Sequence, residues 1–325
     1  MKDIDSLLSL VRDDMEEVER MLVSAIDTRI DLLNGICRHI LGSGGKRIRP
    51  LILLLTSKFC GYRGTSHIPL ACVLEYIHTA TLLHDDVIDH AEMRRGLSSA
   101  HTVWGNQGTI LAGDYFFSRA FSLAVSSGDL RILEVISGAA QRLAEAETFQ
   151  VEKTGDPLIS EDEYFYIIEN KTASLMEAAA RISAILGGLG PDAERLIADY
   201  GRNLGVAFQI MDDVLDYRAS QQDLGKTIGK DIQEGCITLP LIAALAKGPA
   251  GESGAITGLI RGGAWDADTL EAVRGFIEKY RGTEYAVSRA RQKIEAGIQA
   301  LGGFAPGELK SALVDLAGYV LARSS

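Results

Sequence analysis

The stretch Leu82-Leu83-His84-Asp85-Asp86-Val87-Ile88-Asp89 sets three carboxylates at the end of an otherwise apolar run, Ala71 to Ile88. On a helix, Asp85 and Asp89 are i,i+4 neighbours and face the same way. Acids at a helix C-terminus oppose the macrodipole, which favours cations there. Breaches of a local rule of this kind often mark functional sites. Hard divalent cations would offset the repulsion, because Mg²⁺ takes oxygen ligands and shares them with phosphates. The pattern returns as Phe208-Gln209-Ile210-Met211-Asp212-Asp213-Val214-Leu215-Asp216. A single Asp-Asp-x-x-Asp also fits a solvated helix end. Two copies embedded in apolar helix are hard to place on a plain surface. Two facing acidic helix ends can hold several Mg²⁺ ions and, through them, a diphosphate.

Cations accompany the acids. In Gly42-Ser43-Gly44-Gly45-Lys46-Arg47-Ile48-Arg49-Pro50, glycines let the backbone approach a ligand and three cations follow within a few residues. Seen alone, the segment also reads as a flexible turn beside surface charges. Glu75 and His78 form Glu-x-x-His, the di-iron signature of some four-helix bundles, which requires a second such pair. No other histidine here has a glutamate three residues before it, and His78 alone reads as a satisfied core histidine.

Taken together, these motifs resemble the trans-prenyltransferases, or polyprenyl diphosphate synthases, and most of all their long-chain members. Motif order and spacing agree from about residue 35 to about residue 245. The resemblance implies an all-α, single-domain helical bundle of the isoprenoid synthase type, residues 1–325, with a central cavity. It implies Mg²⁺, three ions per site, on Asp85, Asp86, Asp89, Asp212, Asp213 and Asp216. Lys46, Arg49, His78 and Arg95 would bind isopentenyl diphosphate, and Arg94, Lys171, Thr172, Gln209 and Lys226 the allylic diphosphate. The implied activity is successive condensation to an all-trans chain of about C35 to C50, octaprenyl favoured, for quinone side chains. Metal and cations draw charge from the allylic diphosphate, the carbocation is attacked by the isopentenyl double bond, and a proton is lost. A homodimer is implied too, with transient membrane contact for product release.

One position departs from the family. Where its members carry Glu-Gly-Lys-x-Thr-Leu-Pro, this chain reads Glu234-Gly235-Cys236-Ile237-Thr238-Leu239-Pro240. That phosphate contact is therefore in doubt, and Lys230 is a nearby substitute. Alternatives are a short-chain farnesyl or geranylgeranyl diphosphate synthase, a terpene cyclase, a non-catalytic subunit of a heteromeric synthase, or a metal-storage bundle. The intact Gly-Gly-Lys-Arg-x-Arg-Pro segment speaks against a cyclase, and two complete acidic motifs against a lost catalytic function.

Positioning these residues requires long helices. Prolines fall between helical patterns or at first-turn positions, and none occurs between Pro69 and Pro157. Strand-like alternation is scarce, so an all-helical bundle with short connections is expected. Expected helices include Asp3–Val23, 27–41, Ser66–Asp89, 130–151, 161–186 and one from Pro191 into the second motif. Hydrophobic residues make up 46% of the chain, enough for a large core, and the net charge of −11 speaks against nucleic acid as a partner. The four cysteines show neither metal nor disulfide spacing, and no secretory leader is recognisable, which points to a reducing cytoplasm. No membrane span is expected, for no apolar run of about 18 residues is free of polar interruption.

Overall fold

The computed structural model of the chain describes residues 4–24, 26, 28–218, 230–263 and 266–322. Its first half runs through α1 (Ile4–Ser9), α2 (Arg12–Ser24), α3 (Asp31–Gly42), α4 (Ile48–Phe59) and α5 (His67–Ile88), a hairpin of β1 (Met93–Arg94) and β2 (Leu97–Ser98), then α6 (Ala100–Val125) and α7 (Leu130–Lys153). Next come α8 (Glu161–Ile168), a π-helical turn at Glu169–Ala173, α9 (Ser174–Leu186) and α10 (Pro191–Arg218). The remaining helices are α11 (Lys230–Gln233), α12 (Leu239–Lys247), α13 (Ala250–Gly262), α14 (Ala267–Lys279), α15 (Gly282–Ala300) and α16 (Glu308–Ala322).

Two helices that are apolar on nearly every side form the centre. In α4 every residue from Pro50 to Ser57 is buried, and in α5 every residue from Leu70 to Ile77. A helix hydrophobic all round must be enclosed by others. One apolar cluster runs from Leu7 in α1 to Val320 in α16. α6 lies along α5, with Tyr76 against Phe116 at 5.5 Å and His84 stacked on Phe117 at 6.1 Å between ring centroids. α10 presses on the π turn where glycine permits it: a Cβ at Gly205 would lie 2.6 Å from the Ala173 Cα. This close approach sets the second acidic motif against the π turn.

Several boundaries differ from those expected of the sequence. The first helix is broken at Leu10, where Leu10 N–H and Val11 N–H bond back to Leu7 and Leu8 carbonyls. The tighter turn lets both Leu7 and Val11 enter the core. The next helix begins at Asp31 rather than 27, because Asn34 folds back to bond the backbone of Thr28. Arg94-Arg95-Gly96 belongs to a small hairpin whose turn residues, Arg95 and Gly96, both have positive φ, the geometry of a two-residue hairpin turn. The stretch 161–186 is continuous but contains the π turn. α5 ends at Ile88, and the Asp89 N–H caps it through the Asp85 carbonyl.

Candidate active site

Glu75, His78, Leu82 and Asp85 recur three or four residues apart on α5, so they share one face. That face forms one side of a cavity of about 540 Å³. The Gly45–Arg49 segment, Arg95 of the hairpin, Glu147 of α7, Lys171 and Thr172 of the π turn, and Phe208, Gln209 and Asp212 of α10 complete it. Nine of the residues singled out in the sequence thus meet in one space: Lys46, Arg49, His78, Asp85, Arg95, Lys171, Thr172, Gln209 and Asp212.

One wall is cationic and opens with the N-terminus of α4, whose dipole favours anions. Arg47 is its N-cap, in the left-handed region at φ 47°. Its guanidinium bonds Glu19 of α2 at 2.6 Å and Glu75 of α5 at 2.8 Å. The Arg49 Nε is buried with no hydrogen-bond partner among the described residues. Buried donors are normally satisfied, so this one, on the cavity wall, fits an incoming oxyanion. The Arg95 guanidinium lies over Gly45, where a Cβ would come within 2.8 Å of Nη1. Burial and the surrounding arginines, Arg49 foremost, hold the His78 imidazole far below its usual pKa, hence neutral.

The other wall is acidic. Burial, with Glu147 and Asp89 adding repulsion, raises the Asp85 carboxyl to about 7 despite Lys171 and Arg94. Lys171 donates to Glu147 at 2.7 Å. Burial works against its charge, yet Asp85 and Glu147 outweigh that and raise its pKa. Thr172 donates to Gln209 at 2.8 Å, and Gln209 in turn donates to Asp213 at 2.7 Å. Tyr164 of α8 donates to the other oxygen of Asp213 at 2.6 Å. Asp213 is 3% exposed, and burial together with Asp212 and Asp216 raises it to about 7. Asp216 accepts from the Asp231 N–H at 3.1 Å.

Other singled-out residues lie outside the main cavity. Asp86 is fully buried and accepts from the Arg94 Nε at 2.7 Å. Asp89 and Asp213 line an adjoining cavity of about 160 Å³ together with Gln150 and Cys236. The Cys236 sulfur accepts from Gln150 at 3.3 Å, and burial pushes its thiol up to about 12, so it is neutral. Lys226 lies outside the described residues. Among the described residues no three His, Cys, Asp or Glu side chains form a ready metal cage. Mg²⁺ does not require one, since it keeps waters and binds through one or two carboxylates plus substrate phosphates. Hard oxygen donors, and carboxyls raised by burial with neighbouring acids adding repulsion, fit such an ion. Tyr164, Glu147 and Gln150 are not marked out by any motif of the sequence. Their only signal is spacing, which a solvated helix face shares.

The polyprenyl synthetase family model matches residues 30–274. Octaprenyl diphosphate synthase of Escherichia coli (strain K12) is 39% identical over 321 residues, covering 99% of each chain. Among solved structures, a decaprenyl diphosphate synthase from Rhodobacter capsulatus superimposes with a TM-score of 0.94 at 34% identity, over 99% of this chain and 100% of that one. A polyprenyl synthase from Caulobacter crescentus CB15, complexed with calcium and isoprenyl diphosphate, gives a TM-score of 0.94 at 33% identity, over 99% and 98%.

Proposed function

The chain belongs to the polyprenyl synthetase family, and from that premise we propose that it is a long-chain polyprenyl diphosphate synthase. It elongates an allylic diphosphate by repeated head-to-tail condensation with isopentenyl diphosphate. The product is an all-trans chain of about C35 to C50, octaprenyl favoured, for quinone side chains. The observation that carries this is the division of one cavity into a cationic wall, with Lys46, Arg49 and Arg95, and an acidic wall, with Asp85 and Asp212. Full-length likeness to an octaprenyl and a decaprenyl diphosphate synthase supports the long product.

Lys46, Arg49 and Arg95 hold the diphosphate of isopentenyl diphosphate, the guanidinium forks matching its oxygens. Neutral His78 supplies a hydrogen bond there without adding charge. Lys171, Thr172 and Gln209 hold the allylic diphosphate, with Arg94 and Lys226 of the same group. Asp85, Asp89, Asp212 and Asp216 would hold Mg²⁺. Asp86 and Asp213 complete the metal-binding motifs and also accept hydrogen bonds from Arg94 and Gln209. When bound, Mg²⁺ neutralises diphosphate charge and so stabilises the leaving group. The protein walls keep water from the carbocation and orient the isopentenyl double bond towards it. The proton released on closing the new double bond goes to the departed diphosphate, and no side chain forms a covalent bond.

The molecule acts as one domain over residues 1–325, supported by the continuous apolar cluster. It pairs as a homodimer through α6 and α3, which expose Val103, Ile110, Leu111 and Leu32. It works in the cytoplasm, where its four unpaired cysteines stay reduced. Among the described residues no helix is long and apolar enough to cross a membrane; product release is by transient membrane contact. The test is purified protein with isopentenyl diphosphate, farnesyl diphosphate and Mg²⁺, products resolved by chain length. Products of about C35 to C50 that vanish on chelation are expected; products no longer than C20 refute the long-chain assignment.

A further inference from the structure

Glu75 is a buried carboxylate that the condensation does not use directly. It is 4% exposed and lies on the cavity face of α5, one turn before His78. A carboxylate withdrawn from water needs a paired cation. Its partner is Arg47, whose Nη1 donates at 2.8 Å. The same guanidinium bonds Glu19 of α2 through Nε, at 2.6 Å, and reaches the Leu41 carbonyl of α3 at 3.4 Å. Arg47 therefore ties three helices to the start of α4. It does so from the left-handed region, at φ 47° and ψ 36°, which residues other than glycine seldom adopt. Lys46 and Arg49 stand on either side of this residue, so fixing Arg47 fixes the directions in which they leave the backbone. Glu75 also attracts Arg49 and Arg95, partly offsetting the burial that lowers both. Without a carboxylate among them, these like charges would repel whenever no diphosphate is bound.

We propose that Glu75 is a positioning residue of the isopentenyl diphosphate pocket: through Arg47 it fixes the Lys46–Arg49 turn, and as a resident counter-charge it keeps Arg49 and Arg95 together until the diphosphate arrives. This rests on the pocket assignment made above. A plain structural ion pair would support the fold without favouring either substrate. A positioning role acts on one substrate alone. Three variants of the full chain separate the two: Glu75→Gln, which keeps shape but removes charge, Glu75→Asp, which keeps charge but retracts it, and Glu19→Gln, which loosens Arg47 from its far side. Binding of isopentenyl diphosphate is measured by calorimetry without an allylic partner, and KM is measured separately for each substrate.

Glu75→Gln should weaken isopentenyl diphosphate about tenfold in Kd and KM, the size of a disturbed charge-assisted contact, while the allylic KM stays within about twofold. Glu75→Asp should recover part of the loss, and Glu19→Gln should move the same constant in the same direction. Unchanged isopentenyl constants in Glu75→Gln, or equal weakening of both substrates with a lowered melting temperature, would overturn the proposal. Wild-type protein that binds no isopentenyl diphosphate would overturn the pocket assignment and the role of Glu75 together. Wild-type binding with an unaffected Glu75→Gln variant sinks the role alone.

Discussion

Product length should be set where the tail leaves the acidic wall, and the structure identifies Thr81 as the position to fill. Thr81 is one helical turn before Asp85 and lines the cavity, its hydroxyl turned back to the His78 carbonyl at 2.8 Å. Ala80 lies about 140° around the helix from Asp85, on the row between Tyr76 and His84 whose rings meet Phe116 and Phe117 of α6. An aromatic ring at 81 therefore enters the cavity, whereas one at 80 enters the α5–α6 seam. Each isoprene unit buries four or five carbons, roughly 3–4 kcal/mol. A unit that finds no room forfeits that gain, a penalty of hundredfold or more per condensation at about 1.4 kcal/mol per factor of ten. Thr81→Phe should thus collapse the products abruptly to about C15–C20 with activity retained, rather than shift them by one unit. Ala80→Phe should first destabilise the fold by about 1–3 kcal/mol through over-packing. Chain-length-resolved products and melting curves of both variants are the assay. Unchanged products from Thr81→Phe would refute the reasoning and move the floor deeper, towards Phe116.

Asp85→Ala and Asp212→Ala should each cut turnover by several orders of magnitude with helical content intact by circular dichroism; rates within about tenfold of wild type would remove the metal assignment. Cys236→Lys should tighten the allylic diphosphate about tenfold, measured as KM; no change, with a large loss in Lys230→Ala, would give the role to Lys230. In metal-free protein, Asp85 and Asp213 are raised by burial from 3.8 to about 7. The folded state then binds more protons than the unfolded one, so their contribution to stability falls as pH rises through that window. Melting temperature should drop between those pH values, and Asp85→Asn should flatten the slope; equal slopes would show that Asp85 is not responsible.

The acidic motifs were legible because they contradict their surroundings: carboxylates in an apolar run have few explanations, and the i,i+4 spacing of Asp85 and Asp89 survives any shift of a helix boundary. The π turn was not legible. Lys171-Thr172 sits in an unbroken helical pattern, and the extra residue in the turn answers to α10, which Gly205 brings against Ala173. π turns are frequent at functional sites, and this one presents Lys171 and Thr172 to the cavity. The hairpin at Met93–Ser98 escaped notice because its turn is Arg95-Gly96, not the Asn-Gly or Asp-Gly that announces such turns. The Glu19–Arg47–Glu75 tie joins residues 28 positions apart on either side. No local periodicity reports a contact at that range.

On the proposed assignment, the two walls would let one cavity treat two diphosphates differently. Both substrates carry the same anionic group, so charge alone would not sort them. The wall with Arg49 and Arg95 offers fixed cations, with Glu75 as a partial counter-charge, and a neutral His78. A diphosphate can bind there as it is, and nothing in that wall drives its loss. The wall with Asp85 and Asp212 repels a bare diphosphate, and its one close cation from the π turn, Lys171, is engaged by Glu147. A diphosphate enters it only with divalent cations of its own, the same charges that stabilise it as a leaving group. On the proposed assignment, the substrate that ionises is the one held by acids, and the substrate that must keep its diphosphate is the one held by arginines. On this account the cations of the two walls are not interchangeable. Adding positive charge in the cavity that adjoins the acidic wall, as Cys236→Lys does, should ease allylic binding without lengthening the product, because chain length depends on the apolar path beside Thr81.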